Sequence, residues 1–125
     1  MKASILVVDD EPLTGNLLRL MLEPVGFKVT QAASGLEALE KIGKNIPDAL
    51  ILDIMMPFMD GLTVCKEVRI KEETADLPII ILSAKTMRSA REESMAAGAD
   101  RFLAKPISRD DLVRTVCEVL QGRSA

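Results

Sequence analysis

Five short apolar runs punctuate the chain: SILVV (4–8), FKVTQ (27–31), ALIL (49–52), PIIIL (78–82) and RFLA (101–104). They are rich in β-branched residues and bounded by charged or turn-forming ones, a pattern that predicts strands. Between them, apolar positions recur every three or four residues. Leu13, Leu17, Leu20 and Met21 make one predicted helical stripe, Leu36, Leu39 and Ile42 a second, Leu62, Cys65 and Val68 a third, and Leu112, Val116, Val119 and Leu120 the last. The stretch from Thr86 to Ala97 offers only Met87, Ala90, Met95 and small residues, and reads as a loosely anchored helix.

Local chemistry marks the boundaries. SGLE (34–37) and SRDD (108–111) each place a serine three residues before an acid, the capping-box spacing. Pro12 suits a first helical turn, and Gly26 and Gly98 stand where helices should end. Strand and helix alternate five times without a repeat, linker or low-complexity segment. This predicts one α/β domain over 1–125 with a flexible tail at 121–125. The expected architecture is a doubly wound five-stranded parallel sheet in the flavodoxin-like order 2-1-3-4-5. Strands covered on both faces should be apolar throughout, and ILVV, ALIL and PIIIL are. In such a sheet ligands bind beyond the carboxyl ends, where strands 1 and 3 diverge.

Composition narrows the chemistry. The 125 residues are 48% apolar and 28% charged, as in ordinary soluble domains, and a net charge of −3 disfavours direct nucleic-acid binding. No apolar run approaches the roughly 18 residues of a membrane span. The opening MKASILVV carries one lysine and runs into acids, so a cytoplasmic location is expected. Histidine is absent, which excludes Ser-His-Asp and Cys-His catalysis, histidine metal ligation and a phosphohistidine carrier role. Cys65 and Cys117 lie among apolar residues without close partners and are expected to be free buried thiols.

The acids are the feature that needs an explanation. Asp9 and Asp10 follow the first strand, Asp53 the third, Ser83 the fourth and Lys105 the fifth, so the predicted topology gathers all five at one sheet edge. Two unit charges about 4 Å apart repel by roughly 4 kcal/mol at the effective dielectric of a protein surface. A divalent cation would relieve this, and oxygen-only ligands favour Mg²⁺ or Mn²⁺ over zinc. Lysine suits a phosphoryl oxygen and the serine hydroxyl another, beside a carboxylate that can attack phosphorus. Taken singly, each residue has a plainer reading: the aspartates as caps or turn residues, Ser83 as a cap, Phe102 as core. Glu11 reads as a solvated first-turn acid, Met55, Met56 and Met59 as space-filling rather than copper-binding, and RIKEETAD (69–76) as a solvated helix end and loop. Convergence of five positions favours a phosphoryl site.

VVDDEP, LDIMMPFMDG, ILSAK and AAGADRFLAKP, in that order over essentially the whole chain, closely resemble the four signature stretches of response-regulator receiver domains. These are the phosphoacceptor modules of two-component signalling. The resemblance implies phosphoryl transfer to Asp53 from a phosphohistidine of a sensor kinase or phosphotransfer protein. It implies Mg²⁺ held by Asp10, Asp53 and the Met55 carbonyl, with Asp9 assisting through water. Lys105 would pair with the phosphoryl group, Ser83 would hydrogen-bond it, and Phe102 would be the aromatic switch. A cis bond between Lys105 and Pro106 is expected. Met55 and Lys85 are expected to overhang the phosphoryl group, where apolar Met55 would slow self-dephosphorylation.

The implied function is a signalling switch that alters partner affinity through the face of helix 4, strand 5 and helix 5. It would be an enzyme only in assisting its own phosphorylation and dephosphorylation, acting as a monomer or a phosphorylation-dependent homodimer. The tail QGRSA leaves open a stand-alone regulator or a receiver from a longer protein, with the downstream partner or output domain unspecified. Two other readings compete. A Mg²⁺-dependent phosphatase of the haloacid dehalogenase type would carry a general acid two residues after its nucleophile, where this chain has Met55. A phosphorylation-independent binding module would use the acids only structurally.

Overall fold

The computed structural model describes residues 2–84 and 88–124. Its elements run β1 (Ser4–Val8), α1 (Pro12–Leu22), β2 (Lys28–Ala32), α2 (Gly35–Lys44), β3 (Ala49–Leu52), α3 (Gly61–Ile70), β4 (Ile79–Ser83), α4 (Arg88–Ala96), β5 (Arg101–Ala104) and α5 (Arg109–Ser124). The strands pair in parallel in the order β2-β1-β3-β4-β5. The predicted architecture is therefore observed, with β2 and β4 each displaced by one residue. Ser83 thus ends β4 instead of following it. Thr86 and Met87, with which the fourth helix was expected to begin, lie outside the described residues, as does Lys85.

The central strands β3 and β4 are buried along their whole length, while the edge strands β2 and β5 are half-exposed. Alternation along each strand divides the core in two. Leu6, Val8, Leu50, Leu52, Ile79 and Ile81 face α2, α3 and α4. Ile5, Val7, Ile51, Ile80 and Leu82 face α1 and α5. Both serine caps form: the Glu37 and Asp111 amides donate to the hydroxyls of Ser34 and Ser108, each at 3.1 Å. The Glu37 carboxylate returns to the Ala33 amide at 2.8 Å, one residue before the cap. Gly98 ends α4 with φ 110°, in a Schellman arrangement where the Gly98 and Ala99 amides donate to the Met95 and Ser94 carbonyls.

Four expectations are corrected. Leu13, Leu17 and Leu20 do not form the core face of α1: they are exposed, and Gly15, Leu18 and Leu22 are buried instead. Gly15 lies on this buried face, where a Cβ would meet the end of the Gln31 side chain from β2. Leu36 is likewise exposed, while Ile42 is buried as expected and Ala38 is buried beside it. The segment 69–76 is not simply solvated. The Arg69 guanidinium donates to the carbonyls of Gly98 (2.9 Å), Leu77 (2.7 Å) and Thr74 (3.4 Å) and pairs with Asp100 at 3.1 Å. Thr74 is buried, its hydroxyl donating to the Val68 carbonyl. Cys65 is buried as expected, but Cys117 is only half-buried.

The α1 orientation makes a direct stability prediction. Leu18→Ala should cost about 2–5 kcal/mol in urea unfolding, whereas Leu20→Gln should change stability by no more than about 0.5 kcal/mol. A larger loss for Leu20→Gln would restore the sequence-predicted face.

Candidate functional site

The parallel register of β1 and β3 aligns Val8 with Leu52, so the residues after them, Asp9 and Asp53, emerge side by side. The Asp53 amide donates to the Val8 carbonyl at 3.0 Å and the Asp9 amide to the Ala32 carbonyl at 3.1 Å, which fixes both backbones. Asp9 and Asp53 are buried and Asp10 is exposed, and carboxylate oxygens of all three lie within 4.8 Å of one another. Asp9 accepts the Glu11 amide at 2.9 Å, and Asp53 accepts the Met55 amide at 3.4 Å.

Lys105 arrives from the opposite half of the sheet. Its amide donates to the Ser83 carbonyl at 2.8 Å, continuing the β4–β5 ladder past the last strand residue. The ammonium then reaches Asp9 at 2.9 Å and Asp53 at 3.5 Å. Its shorter contact is with Asp9, not with the predicted phosphoacceptor. Lys105 and Pro106 are joined by a cis bond, as expected.

Burial pushes the Asp53 carboxyl above its ordinary range; Lys105 opposes this, the Asp9 charge adds to it, and the Met55 amide and the hydrogen bond from Lys105 oppose it. For Lys105, burial alone would lower the pKa. The hydrogen bond to Asp9 and the charges of Asp53 and Asp9 outweigh that, and the net shift is upward.

The remaining predicted residues lie on β4, β5 and the segment after β3. Ser83 is fully buried at the end of β4. Phe102, on the neighbouring strand, is half-buried and packs against the core cluster that contains Ala90, Ala97 and Ala99. Met55 is exposed, Met56 is buried and Met59 half-buried, the last two in contact with the core. Two positioning residues escaped the sequence reading. Asp60 caps α3 by accepting the Thr63 amide (2.9 Å) and hydroxyl (3.0 Å), for which the Asp-x-x-Thr spacing was an available signal. Gly61 follows, and a Cβ there would collide with the Asp53 carbonyl. The β3–α3 loop can therefore close beneath the acids only with glycine at this position.

The family model of the response regulator receiver domain matches residues 5–117. The chain belongs to this family. Among curated relatives, the response regulator MprA of Mycobacterium sp. (strain KMS) is 41% identical over 99% of this chain and 53% of its own length. MprA of Mycobacterium tuberculosis (strain ATCC 25177 / H37Ra) is 41% identical over 97% of this chain and 52% of its own length. The chain thus spans about half the length of these relatives. Vibrio cholerae chemotaxis protein CheY4 superposes with a TM-score of 0.90 at 34% identity, covering 95% of this chain and 99% of CheY4. A receiver domain of a sensor histidine kinase from Pseudomonas aeruginosa PAO1, solved with magnesium coordinated in its active-site cleft, gives a TM-score of 0.90 at 31% identity, covering 97% and 99% of the two chains.

Receiver domains are signalling modules of two-component systems that bind Mg²⁺ at an acidic site, and this receiver has the matching acid cluster. The donor set fits a hard cation: carboxylate oxygens, with neither nitrogen nor sulfur among them.

The raised Asp53 pKa has a definite sign for stability. The folded state holds the proton more tightly than the unfolded chain, so the ionised group opposes folding above its folded pKa and ceases to do so as pH falls toward its unfolded value. In EDTA at neutral pH, Asp53→Asn should raise the thermal midpoint by on the order of a few degrees. A lowered midpoint would show that attraction to Lys105 outweighs burial.

Proposed function

We propose that Asp53 is the phosphoacceptor of this receiver and that Asp9, Asp10 and Lys105 are its working partners. The observation that carries this reading is the buried Asp53 carboxylate, flanked by the Lys105 ammonium and the two neighbouring acids. An Asp53 oxygen bonds phosphorus while the phosphorus–nitrogen bond of a donor phosphohistidine breaks, its electron pair leaving with the imidazole. Asp10, Asp53 and the Met55 carbonyl would hold Mg²⁺, with Asp9 assisting; Mn²⁺ shares the same donor preference. The cation supplies charge neutralisation between the acids and the phosphoryl oxygens.

The acyl phosphate adds negative charge where the carboxylate stood, about −1.5 to −2 for a phosphorylated group at neutral pH. Lys105 can follow that charge because its ammonium is a point charge on a flexible stem. Ser83, on the strand paired with β5, would hydrogen-bond the new oxygens, and Phe102 would move with it.

The α4–β5–α5 face is the proposed output surface. α4 buries only Ala90 and Ser94, and the Ser94 hydroxyl donates within its own helix to Ala90 at 2.7 Å. Beyond its C-terminus, Cys65 donates to the Ala97 carbonyl at 3.3 Å and Arg69 to Gly98. A helix that buries only small side chains along its length is displaced at small cost.

The donor would be a sensor kinase or phosphotransfer protein, the setting cytoplasmic, and the acting species a monomer or a phosphorylation-dependent homodimer. No helix among the described residues is long and apolar enough to cross a membrane. The phosphatase reading lacks its general acid, because Met55 occupies that position and points no titratable group at a leaving oxygen.

Acetyl phosphate with Mg²⁺ should add one phosphoryl mass to the protein, and Asp53→Asn should abolish the addition. Persistent labelling of Asp53→Asn would refute the assignment. Replacing Met55 by Asn should accelerate acyl-phosphate decay several-fold, on the order of 1 kcal/mol in the hydrolysis barrier, because a polar side chain can orient the attacking water. Unchanged or slower decay in a phosphate-release assay counts against that role.

A further inference from the structure

The chain contains three aromatic rings, all phenylalanine, so the use of each is informative. Phe27 and Phe102 pack against the two halves of the core. Phe58 does not: its relative exposure is 105%, and its backbone sits at φ 69°. Left-handed backbone favours glycine or asparagine, and a bulky aromatic there is an outlier. The fold gains no packing from the ring and tolerates strain to present it.

The ring's placement is fixed by the loop that carries it. The Gly61 amide donates to the Ile54 carbonyl at 3.0 Å, closing the loop at its base, and the Met59 amide donates to Pro57 at 2.8 Å across the ring-bearing residue. Asp60 anchors the outgoing end as the α3 cap. Phe58 therefore stands on a short, braced loop that begins at Asp53, at the edge of the sheet where the acids gather. Any protein that delivers a phosphoryl group in line to Asp53 must lay its surface over this edge.

We propose that Phe58 is a recognition residue for the protein phosphodonor, seating its ring against an apolar surface beside the donor's phosphohistidine. This rests on Asp53 being the phosphoacceptor. The ring touches none of the reacting atoms; it contributes affinity and orientation for a macromolecular donor alone. An exposed aromatic on a braced loop suits that purpose, since little freedom is lost when it is covered.

The test compares Phe58→Ala, Phe58→Gly and Phe58→Leu with three donors: acetyl phosphate, phosphoramidate, and the autophosphorylated sensor-kinase cytoplasmic fragment that transfers fastest to the unmodified chain in a panel. Labelling by the two small donors should stay within about twofold for every variant. Transfer from the kinase fragment should fall by about tenfold or more in kcat/KM for Ala and Gly, chiefly through KM, and be largely restored by Leu. The Gly variant should melt at or above the temperature of the unmodified chain, because it relieves the left-handed strain.

Equal transfer from the kinase fragment to all variants overturns the proposal. So does a parallel loss with the small donors, which would make the ring a support for the pocket. A change in oligomeric state with unaltered transfer would assign the ring to contact between two copies and equally overturn it. If acetyl phosphate and phosphoramidate fail to label even the unmodified chain, it is the phosphoacceptor role of Asp53 that fails.

Discussion

The contact on which this pocket depends is the Lys105 ammonium lying between the carboxylates of Asp9 and Asp53. Both acids are buried, where unit charges at close range repel more strongly than at the surface. Without a positive charge among them the acids would have to protonate or turn away. The lysine meets them from 96 and 52 residues further along the chain. Only the stacked registers of β1 on β3, β3 on β4 and β4 on β5 bring it there. The sheet thus acts as a scaffold that holds like charges together with a counter-charge that makes them compatible.

That counter-charge is also mobile in a way the acids are not. Asp9 and Asp53 are pinned twice: their own amides donate to backbone carbonyls, and their carboxylates accept backbone amides. Lys105 is held at its backbone by Ser83 but extends its ammonium on four methylenes, with its closer contact on Asp9. A cation entering among the acids, or an anionic group added at Asp53, changes which partner the ammonium prefers without disturbing the strands. The rigid part of the site fixes geometry, and the flexible part responds to charge.

Much of this was legible in the chain because parallel strands buried on both faces are continuous apolar runs, and ILVV, ALIL and PIIIL could hardly be anything else. The α1 face was not legible, because leucines spaced for a core stripe occur on the solvent side of that helix as well. Periodicity cannot choose between two leucine-bearing faces; packing of Leu18 and Leu22 against β1, β3 and α5 does. Arg69 was hidden in a charge-rich stretch, since its partners are mostly backbone carbonyls, which carry no sequence signature. The meeting of the three acids with Lys105 could be read from topology, but the preference of Lys105 for Asp9 over Asp53 depends on side-chain reach, which topology does not express.

The alternation of β5 links the charged centre to the weakly packed helix. Phe102 turns toward the core half that contains Ala90, Ala97 and Ala99, while the next residue, Leu103, turns toward α1 and α5. The ring is half-buried against that half of the core, which also holds its strand partner Ile81. Ile81 lies two residues before Ser83, and the ring's own strand leads within three residues to Lys105. In the proposed switch, movement of the serine hydroxyl or the ammonium toward a new charge at Asp53 would act on the strand pair that carries the ring. α4, which buries only Ala90 and Ser94, is the part of that packing held by the smallest side chains.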